Sequence, residues 1–486
     1  MIRFVLTYLF VIFFPLLVMA DSRPRLVVLT DIGGDPDDMQ SMRRLMLYSN
    51  EFRITGLIAS AAGTPGELKK EITHPEFIRD IVQDYAAVQE NLRRHAHGYP
   101  PASDLEEVIK RGSSKRGIPY IGAEYSTEGS EHIIHAVDAS EEPLYVVIWG
   151  GAHDLAQALF DVSRKRSLKE TALFVSKLRV YAIGDQDGWQ SKHMGGTGAW
   201  IRAHFTSIRY VEPGSPGIER FTSLFRGMYQ NDSKGGRHPV IQLVRNEVVP
   251  MNHQAWVEKN VRKKHGPLGT GYPVTGQNPH SSRNTRGVKE GDTPSWFFVL
   301  SNGLGDPEQP TWGGWGGRFQ RDKGGHFIGA EDEHWSGNKD DALRRKWTVA
   351  RWRKSYQNDF QARMDWCVQT YSNANHHPVA YLNGDRGRDI VKTTVSSGQI
   401  VHLSAMKSSD PDGDHLRYNW WQYQEAGSLE STISISDPSA EHAHFKAPSV
   451  DAVKTIHIIL EVIDNGSPKL TSYRRLVVTV DPDFKP

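Results

Sequence analysis

The chain has 486 residues, of which 38% are hydrophobic and 24% are charged, and these values exclude a collagen-like or wholly disordered protein. Its 58 basic and 57 acidic residues leave a net charge of +1, without the basic excess that would hold nucleic acid by its phosphates. The one cysteine excludes an intramolecular disulfide and a thiolate metal cage. This length predicts two or three domains.

Residues 1–20 have the composition of a secretory signal peptide. A basic start at Arg3 precedes an apolar run from Phe4 to Met19, and Ala20 ends the run with a small side chain. The run is short for a membrane span, although an uncleaved anchor is the alternative. We therefore expect cleavage after Ala20 and a secreted or periplasmic protein without a membrane attachment.

Apolar runs alternate with helical patterns from residue 24 to residue 372. Continuous apolar segments predict strands that are buried on both faces, and strands alternating with helices favour an α/β fold with a mostly parallel, doubly wound sheet. The predicted strands are 26–29, 54–61, 144–149 and 178–183, and the predicted helices include 67–94 and a closing helix over 340–371.

The pattern changes to β-structure over residues 378–484. Short β-branched or aromatic runs separated by turn residues predict an all-β sandwich. On the strand that carries Trp420, a period of two places Trp421 and Tyr423 on one face, and we expect one tryptophan of this strand in the core. The predicted strands are 399–403, 416–423, 432–435, 456–463 and 475–480.

Four carboxylates follow the first predicted strand within eight residues: Asp31, Asp35, Asp37 and Asp38. They would repel one another unless a positive charge lay among them. The carboxyl end of a strand is also where open α/β sheets bind ligands. Oxygen ligands of this kind suit a hard cation, Ca²⁺ before Mg²⁺. The alternative is an acidic N-cap, which needs only one or two acids.

Two further motifs are weak individually. The strand 144–149 ends at Gly150 and Gly151, where backbone carbonyls can approach a ligand closely. Asp292 lies beside a turn before an apolar segment, a position typical of an ordinary loop acid.

A third weak motif is the glycine-rich segment that carries Trp312 and Trp315. Its glycines would let the backbone lie flat while the indoles stack on sugar faces. Two core tryptophans in a tight loop are the alternative interpretation.

The strand-end motifs together resemble the inosine-uridine nucleoside hydrolase family, whose signature is an Asp-x-Asp-x-x-x-Asp-Asp turn after the first strand. Asp31, Asp37 and Asp38 match the first, third and fourth aspartates of that signature. Segment 149–154 resembles a later strand end of the family, and Asp292 resembles its final aspartate ligand.

The resemblance implies one Ca²⁺ held by Asp31, Asp38, Asp292 and a backbone carbonyl near Trp149. Asp37 is expected to hold a sugar hydroxyl. Such an ion would chelate sugar hydroxyls and lower the pKa of a water that attacks the anomeric carbon.

One departure from the family signature bears on catalysis. Its second aspartate, a metal ligand and the base for water, is Gly33 here, and Asp35 is an added acid. Gly63-Thr64 likewise replaces a Gly-Asn pair. Either Asp35 or Asp31 has taken over the role of the base, or the activity is lost.

The acid that protonates the leaving group is less well defined by the sequence. Asp185, Asp187, His193 and His153 are candidates from their position in the chain, and Asp187 is also expected to contact the substrate. For each of them individually, an ordinary loop or cap residue is the favoured interpretation.

Almost the whole mature chain more closely resembles a group of secreted proteins described as cellulose-binding. These pair a nucleoside-hydrolase-like domain with a C-terminal cadherin-like or PKD-like sandwich. The segments that carry this likeness are 31–38, 305–319 and 408–418, whereas the wider likeness covers residues 24–320 loosely.

The sequence supports three functional hypotheses. The first is a secreted Ca²⁺-dependent hydrolase of N-glycosyl or other glycosyl bonds in a nucleoside or saccharide. The second is a non-catalytic protein that binds a glycan, possible partners including polysaccharides such as cellulose. A surface adhesion protein whose working part is the sandwich is the third.

Overall fold

The computed structural model describes most of the chain after the predicted signal peptide. The described residues are 21–61, 63, 66, 68, 70–188, 196–214, 222–229, 243–274 and 287–485. The predicted signal peptide and His193 lie outside them. Among the described residues, no helix combines the length and the apolar composition needed to cross a bilayer.

The N-terminal domain contains an eight-stranded sheet, and the α/β class predicted from the sequence is confirmed. The strand order is β3-β2-β1-β4-β5-β6-β8-β7, and only β7 runs antiparallel to its neighbour. The strands are β1 (Arg25–Thr30), β2 (Arg53–Ala59), β3 (Ile109–Arg111), β4 (Leu144–Ile148), β5 (Leu178–Ala182), β6 (Arg209–Val211), β7 (Phe319–Arg321) and β8 (Phe327–Gly329).

Helices cover both faces of this sheet. Alternation along β1 directs Leu26 and Val28 into one hydrophobic core and Val27 and Leu29 into the other, which explains its continuous apolar run. The helices are α1 (Pro36–Leu47), α2 (Pro75–His95), α3 (Ala102–Glu107), α4 (Glu128–Asp138), α5 (His153–Lys165), α6 (Leu168–Ser176), α7 (Thr197–His204), α8 (Gln254–Val257), α9 (Gly266–Thr270), α10 (Thr293–Phe297), α11 (Asp341–Ala350) and α12 (Arg353–Trp366).

Two helix predictions were wrong in extent. The helix expected from residue 67 begins only at Pro75, whose fixed φ suits the first position of a helix. The single closing helix expected over 340–371 is two helices, α11 and α12. They are separated at Trp352, whose backbone leaves the helical conformation and whose indole packs on Trp421.

The C-terminal domain consists of two sheets that enclose their own hydrophobic core. A four-stranded sheet has the order β11-β13-β14-β9, and a two-stranded sheet pairs β10 with β12. The strand predicted over 432–435 is absent, and β9 and β12 were not predicted. The strands are β9 (Val391–Val395), β10 (Ile400–Ser404), β11 (Arg417–Gln422), β12 (His442–Lys446), β13 (Lys454–Ile463) and β14 (Thr471–Val480).

The two domains meet along one face of the four-stranded sheet. Trp420 points into the sandwich core, whereas Trp421 and Tyr423 both pack against Trp352 of the N-terminal domain. The Tyr423 hydroxyl donates a hydrogen bond of 2.6 Å to the buried Asp332. The face predicted from the period of two is therefore the one that joins the domains.

Candidate functional site

The candidate site lies where the strand order of the N-terminal sheet changes direction. β1 lies between β2 and β4, so the chain builds the sheet outward to both sides of the β1–β4 pair. A cleft forms at the carboxyl ends of strands at such a switch point. Asp31 follows β1 and Gly150 follows β4, and a Cβ atom added at Gly150 would lie 2.5 Å from Cγ of Asp31. The glycine is what allows the two segments to approach this closely.

The turn between β1 and α1 requires glycine at position 33. Gly33 has a φ of +100°, and a Cβ atom there would lie 2.7 Å from Cδ2 of His74. The Gly34 amide closes the turn by donating to the Asp31 carbonyl at 3.1 Å. The side chain of His74 therefore occupies the space that an aspartate side chain at position 33 would need.

Three carboxylates converge beside this turn. Asp37 and Asp38 lie in the first turn of α1, and Asp292 immediately precedes α10. One carboxylate oxygen from each lies within 4.8 Å of the others. Their side chains are buried, with residue exposures of 8%, 3% and 1%. We call these three residues the acidic trio.

The electrostatics of the acidic trio are unfavourable without a cation. Burial and the neighbouring charges of Asp37 and Asp38 raise the pKa of Asp292 well above its ordinary value. Hydroxyl groups offset part of this cost. Thr30 donates to Asp38 through its Oγ1, and the Tyr229 hydroxyl donates to Asp37 at 3.4 Å.

Lys289 brings a positive charge to the edge of the site. Its ammonium group forms an ion pair with Asp35, and the carboxylates of Asp37 and Asp35 raise the pKa of Lys289 although burial alone would lower it. Asp35, one of the two residues expected to act as a base, is thus engaged by a cation of the chain and lies outside the acidic trio.

Helix α1 also positions Asp292. Gln40 accepts a hydrogen bond of 2.7 Å from the Lys289 amide and donates one of 2.9 Å to the Gly287 carbonyl. One turn further along, Arg44 forms a fully buried ion pair of 2.5 Å with Glu290. The helix that carries two of the trio therefore holds the segment that carries the third.

Sequence reasoning missed Gln40, Arg44 and Glu290. The signal available was the i, i+4 spacing of two long polar residues on a helix whose other residues are mostly apolar. That pattern is common on solvated helix faces, so it did not indicate a buried tether.

One hydrogen-bonded chain connects the residue after β4 to the site. The Trp149 indole donates to Ser295 Oγ at 2.9 Å, and Ser295 donates to the Asp292 carbonyl at 2.6 Å. The Trp149 carbonyl, expected to reach a metal ion, accepts from the Gln186 amide. Asp31 accepts from the Gly63 amide at 2.8 Å. Asp31 contributes to the field at Asp292 but is not a member of the acidic trio.

Asp185 and Asp187 cap the N-terminus of α7. Asp187 accepts from the Thr197 amide and hydroxyl, and Asp185 accepts from the amides of Gly196, Gly198 and Ala199. Burial and the charge of Asp185 raise the pKa of Asp187. This arrangement favours the interpretation of both acids as cap residues rather than substrate contacts.

The other proposed acid, His153, is fully buried at the start of α5. Its Nε2 lies 2.9 Å from the Tyr120 carbonyl. This placement favours a structural role over protonation of a leaving group.

The two loop tryptophans lie between the domains. Trp315 is only 4% exposed and packs against Phe297 and Tyr473, whereas Trp312 is half-buried with its ring 5.0 Å from that of His457. This placement favours the core interpretation of the motif over an exposed platform for sugars.

The residues of the acidic trio fit a hard divalent cation. They are oxygen donors only, and their mutual approach leaves negative charge that the ion pair of Lys289 with Asp35 does not remove. Of the four ligands expected from the sequence, the structure gathers Asp38 and Asp292, with Asp37 as the third carboxylate. Their roles as metal ligands stay predictions.

The chain matches two family models along its length. Residues 25–319 match the model described as cellulose-binding Sde182, nucleoside hydrolase-like domain. Residues 400–480 match the C-terminal domain of the cellulose-binding protein Sde0182. No curated protein matches the chain.

One solved structure is similar over nearly the full length. It is a nucleoside hydrolase-related hypothetical protein from Saccharophagus degradans that is associated with carbohydrate metabolism. The identity is 32%, the TM-score is 0.75, and the match covers 94% of this chain and 100% of that one.

Two other similarities are partial and support no further inference. An inosine-uridine preferring nucleoside hydrolase from Bacillus anthracis is 17% identical, with 39% of this chain and 64% of that one covered and a TM-score of 0.23. A PKD domain is 18% identical, with 22% and 92% covered and a TM-score of 0.16. From the model match over 25–319 and the full-length similarity, the chain belongs to the Sde182 family of cellulose-binding, nucleoside hydrolase-like proteins.

Proposed function

We propose that the protein is a secreted, Ca²⁺-dependent hydrolase of glycosyl bonds whose substrate is a saccharide or a nucleoside. The observation that carries the proposal is the acidic trio, three buried carboxylates whose oxygens lie within 4.8 Å of one another at the switch point of the sheet. Isolated buried charges are costly, and a bound cation is the simplest way to stabilise three of them together. The cellulose-binding description of the family supports a saccharide partner.

The acidic trio would hold the cation, with Asp37 and Asp38 presented by α1 and Asp292 by the segment tethered to it. When bound, Ca²⁺ would supply a positive charge that binds and orients sugar hydroxyls. The remaining carboxylates keep the cleft negative, which favours the positive charge that develops at the anomeric carbon in the transition state.

Asp31 is the better placed of the two candidate bases. It lies at the carboxyl end of β1, within the electrostatic reach of Asp292, and the Gly63 amide orients its carboxylate. As general base it would take the proton of the attacking water while the bond from the anomeric carbon to the leaving group breaks, and the leaving group would take a proton from solvent water. Asp35 is less suited because its carboxylate is already engaged in an ion pair with Lys289.

A non-catalytic glycan-binding protein is the second candidate. The observation that favours it is Gly33, because the side chain of His74 lies where the family's aspartate would have to stand. The trio could then still bind sugar hydroxyls through the cation without hydrolysis.

A substrate panel separates the two candidates. The panel contains nucleosides, cello-oligosaccharides and oligouronides, each assayed with Ca²⁺ and with a chelator for release of base or reducing sugar. The hydrolase proposal predicts Ca²⁺-dependent turnover that falls by at least about 100-fold in Asp31→Asn, the loss expected for a general base. Asp35→Asn should fall less, and the exposed Asp104→Asn serves as the matched control.

Absence of turnover on every substrate, combined with Ca²⁺-dependent retention on an insoluble polysaccharide, would favour the binding candidate instead. Secretion belongs to the same proposal and rests on residues 1–20. N-terminal sequencing of the exported protein should begin at Asp21, whereas recovery of Met1 in the membrane fraction would contradict cleavage.

A further inference from the structure

A cavity lies between the two domains, remote from the acidic trio. It has a volume of about 260 Å³ and is lined by Tyr48 and Asp359 of the N-terminal domain and by Arg474 of the C-terminal domain. Tyr48 follows the last residue of α1, whereas Asp37 and Asp38 lie at its start. From Asp37 to Tyr48 the chain advances 11 residues along this helix, which separates the two places by about 16 Å. We call this space the interdomain cavity.

Positive charge predominates on the lining of the interdomain cavity. Four guanidinium groups face two carboxylates there. The six residues are Arg363, Arg386, Arg388, Arg474, Glu51 and Asp359. Arg363 and His377 hold the pKa of Asp359 well below its ordinary value in spite of its burial, and Arg388 and Arg363 lower the pKa of Glu51, so both acids are ionised at neutral pH.

The inner arginines are engaged by these acids. Arg363 forms ion pairs of 2.9 Å with Glu51 and 3.2 Å with Asp359, and its guanidinium lies 4.1 Å from the centre of the Tyr48 ring. Arg474 is almost fully buried and pairs with Asp385 at 2.7 Å. These paired, buried groups form the polar inner wall of the cavity.

The two outer arginines, Arg386 and Arg388, are exposed and can bind a further anionic group. Arg388 pairs with Glu51 at 2.7 Å, yet its side chain is 62% exposed. Arg386 is exposed and has no ion-pair partner among the residues that the structure describes. Both belong to a loop of the C-terminal domain that borders the opening, so two guanidinium groups two residues apart are presented to an incoming ligand.

Aromatic side chains complete the walls. Trp315 and Tyr473 line the cavity together with Tyr48. Trp315 and Tyr473 are only 4% and 3% exposed, so small apolar edges of these rings reach the cavity. Apolar edges beside a few charged groups suit a ligand that has apolar C–H faces and polar substituents. The volume is close to the lower end of ligand sites, about 300 Å³, which suits one sugar unit rather than a chain segment.

We propose that the interdomain cavity binds an acidic saccharide unit, with the carboxylate of a uronic acid held by Arg386 and Arg388. The planar fork of arginine matches the two oxygens of a carboxylate, and a neutral sugar would leave the excess positive charge uncompensated. This site requires no cation, so it is independent of the acidic trio and of the hydrolase proposal. The C-terminal domain would thus supply part of a binding site of its own.

Matched sugars test the proposal in the full-length protein. Binding of methyl glucuronide and methyl galacturonide is compared with that of methyl glucoside and methyl galactoside by ligand-observed NMR titration in the presence of a chelator. We expect at least one uronide to bind about tenfold or more tightly than its neutral partner. Arg386→Gln should weaken that binding about tenfold, whereas the exposed Arg417→Gln, outside the cavity, should leave it unchanged.

Equal affinity for acidic and neutral sugars would overturn the proposal, as would equal effects of Arg386→Gln and Arg417→Gln. Glucose 6-sulfate binding as tightly as the better uronide would overturn the assignment to a carboxylate. Asp38→Asn should bind the uronide like the wild type, and a loss there would mean that the sugar occupies the acidic trio instead.

Discussion

Asp292 carries the least solvated carboxylate of the acidic trio, and its neighbours are Asp37 and Asp38. Without a cation, Asp292→Asn should therefore stabilise the protein by about 1–3 kcal/mol, because it removes a buried charge that two like charges oppose. With Ca²⁺ present the same substitution should remove the stabilisation that the ion provides. Urea unfolding in chelator and in Ca²⁺ measures both effects.

The direction of the stability change in chelator distinguishes a metal site from a structural role for Asp292. If Asp292→Asn destabilises the chelated protein, the carboxylate is a structural cap held by its own hydrogen bonds. Asp104→Asn, at an exposed position, should change neither curve.

The surroundings of Gly33 predict that introducing the family's aspartate at this position will destabilise the protein. Gly33→Asp places a side chain at a φ of +100° and within 2.7 Å of His74, so we expect a loss of about 2 kcal/mol or more in unfolding free energy. Gly325→Ala, which has a positive φ but open space around it, is the control for backbone strain alone. A Gly33→Asp protein as stable as Gly325→Ala would show that His74 moves aside freely.

At the scale of elements, α1 both supplies ligands and holds the segment that brings Asp292. Arg44→Met should destabilise the protein by about 3–5 kcal/mol because it leaves Glu290 buried without its partner. Arg44→Met combined with Glu290→Met should recover much of that stability. We expect the double variant still to bind Ca²⁺ more weakly, since the ion pair is lost and only the Gln40 contacts still hold the segment to α1.

The measurement is a calcium titration of both variants beside their unfolding curves. Wild-type affinity in the double variant would contradict the role assigned to the tether. Stability and affinity recovering together would likewise show that the ion pair matters only for folding.

Elements with a clear hydrophobic period were predictable, and those defined by tertiary contacts were not. β1 and β4 appeared as apolar runs because both faces of each strand are buried. β9 and β12 were missed because exposed polar residues alternate with the more buried ones in these strands. Both strands also pair only with strands that are distant in the chain. The segment 432–435 has β-branched residues but makes only an isolated bridge nearby, at Ser436.

At the scale of the molecule, His457 makes the contact between the domains sensitive to pH. Burial and Arg475 lower its pKa to about 3. The unfolded chain binds the proton more readily, so the stability contributed by neutral His457 is complete above pH 6.5 and is lost as the pH falls toward 3. Between pH 7 and pH 5 this loss amounts to about 2 kcal/mol.

Comparing the wild type with His457→Gln separates the contribution of His457 to stability from those of other titratable groups. The difference in unfolding free energy between pH 7 and pH 5 should be smaller in the variant. An unchanged pH dependence would indicate that His457 accepts a proton without disturbing the contact with Trp312 and Arg475.

The division into two domains was predictable, but the junction between them was not. The change from helical to β pattern near residue 373 predicts the boundary, and the period of two placed Trp421 and Tyr423 together. Nothing in the sequence indicated that this face would meet Trp352 or that Trp315 would be enclosed. The candidate site was likewise only partly predictable from the sequence. The cluster of aspartates was visible there, whereas the role of Glu290 depends on a contact with Arg44 across 246 residues.

Calcium titration of the chelator-treated protein by isothermal calorimetry tests the central claim most directly. The account predicts one saturable site in the wild type, its loss in Asp38→Asn, and its retention in the matched variant Asp104→Asn. No binding to the wild type, or equal binding by Asp38→Asn, would contradict a metal centre at the acidic trio.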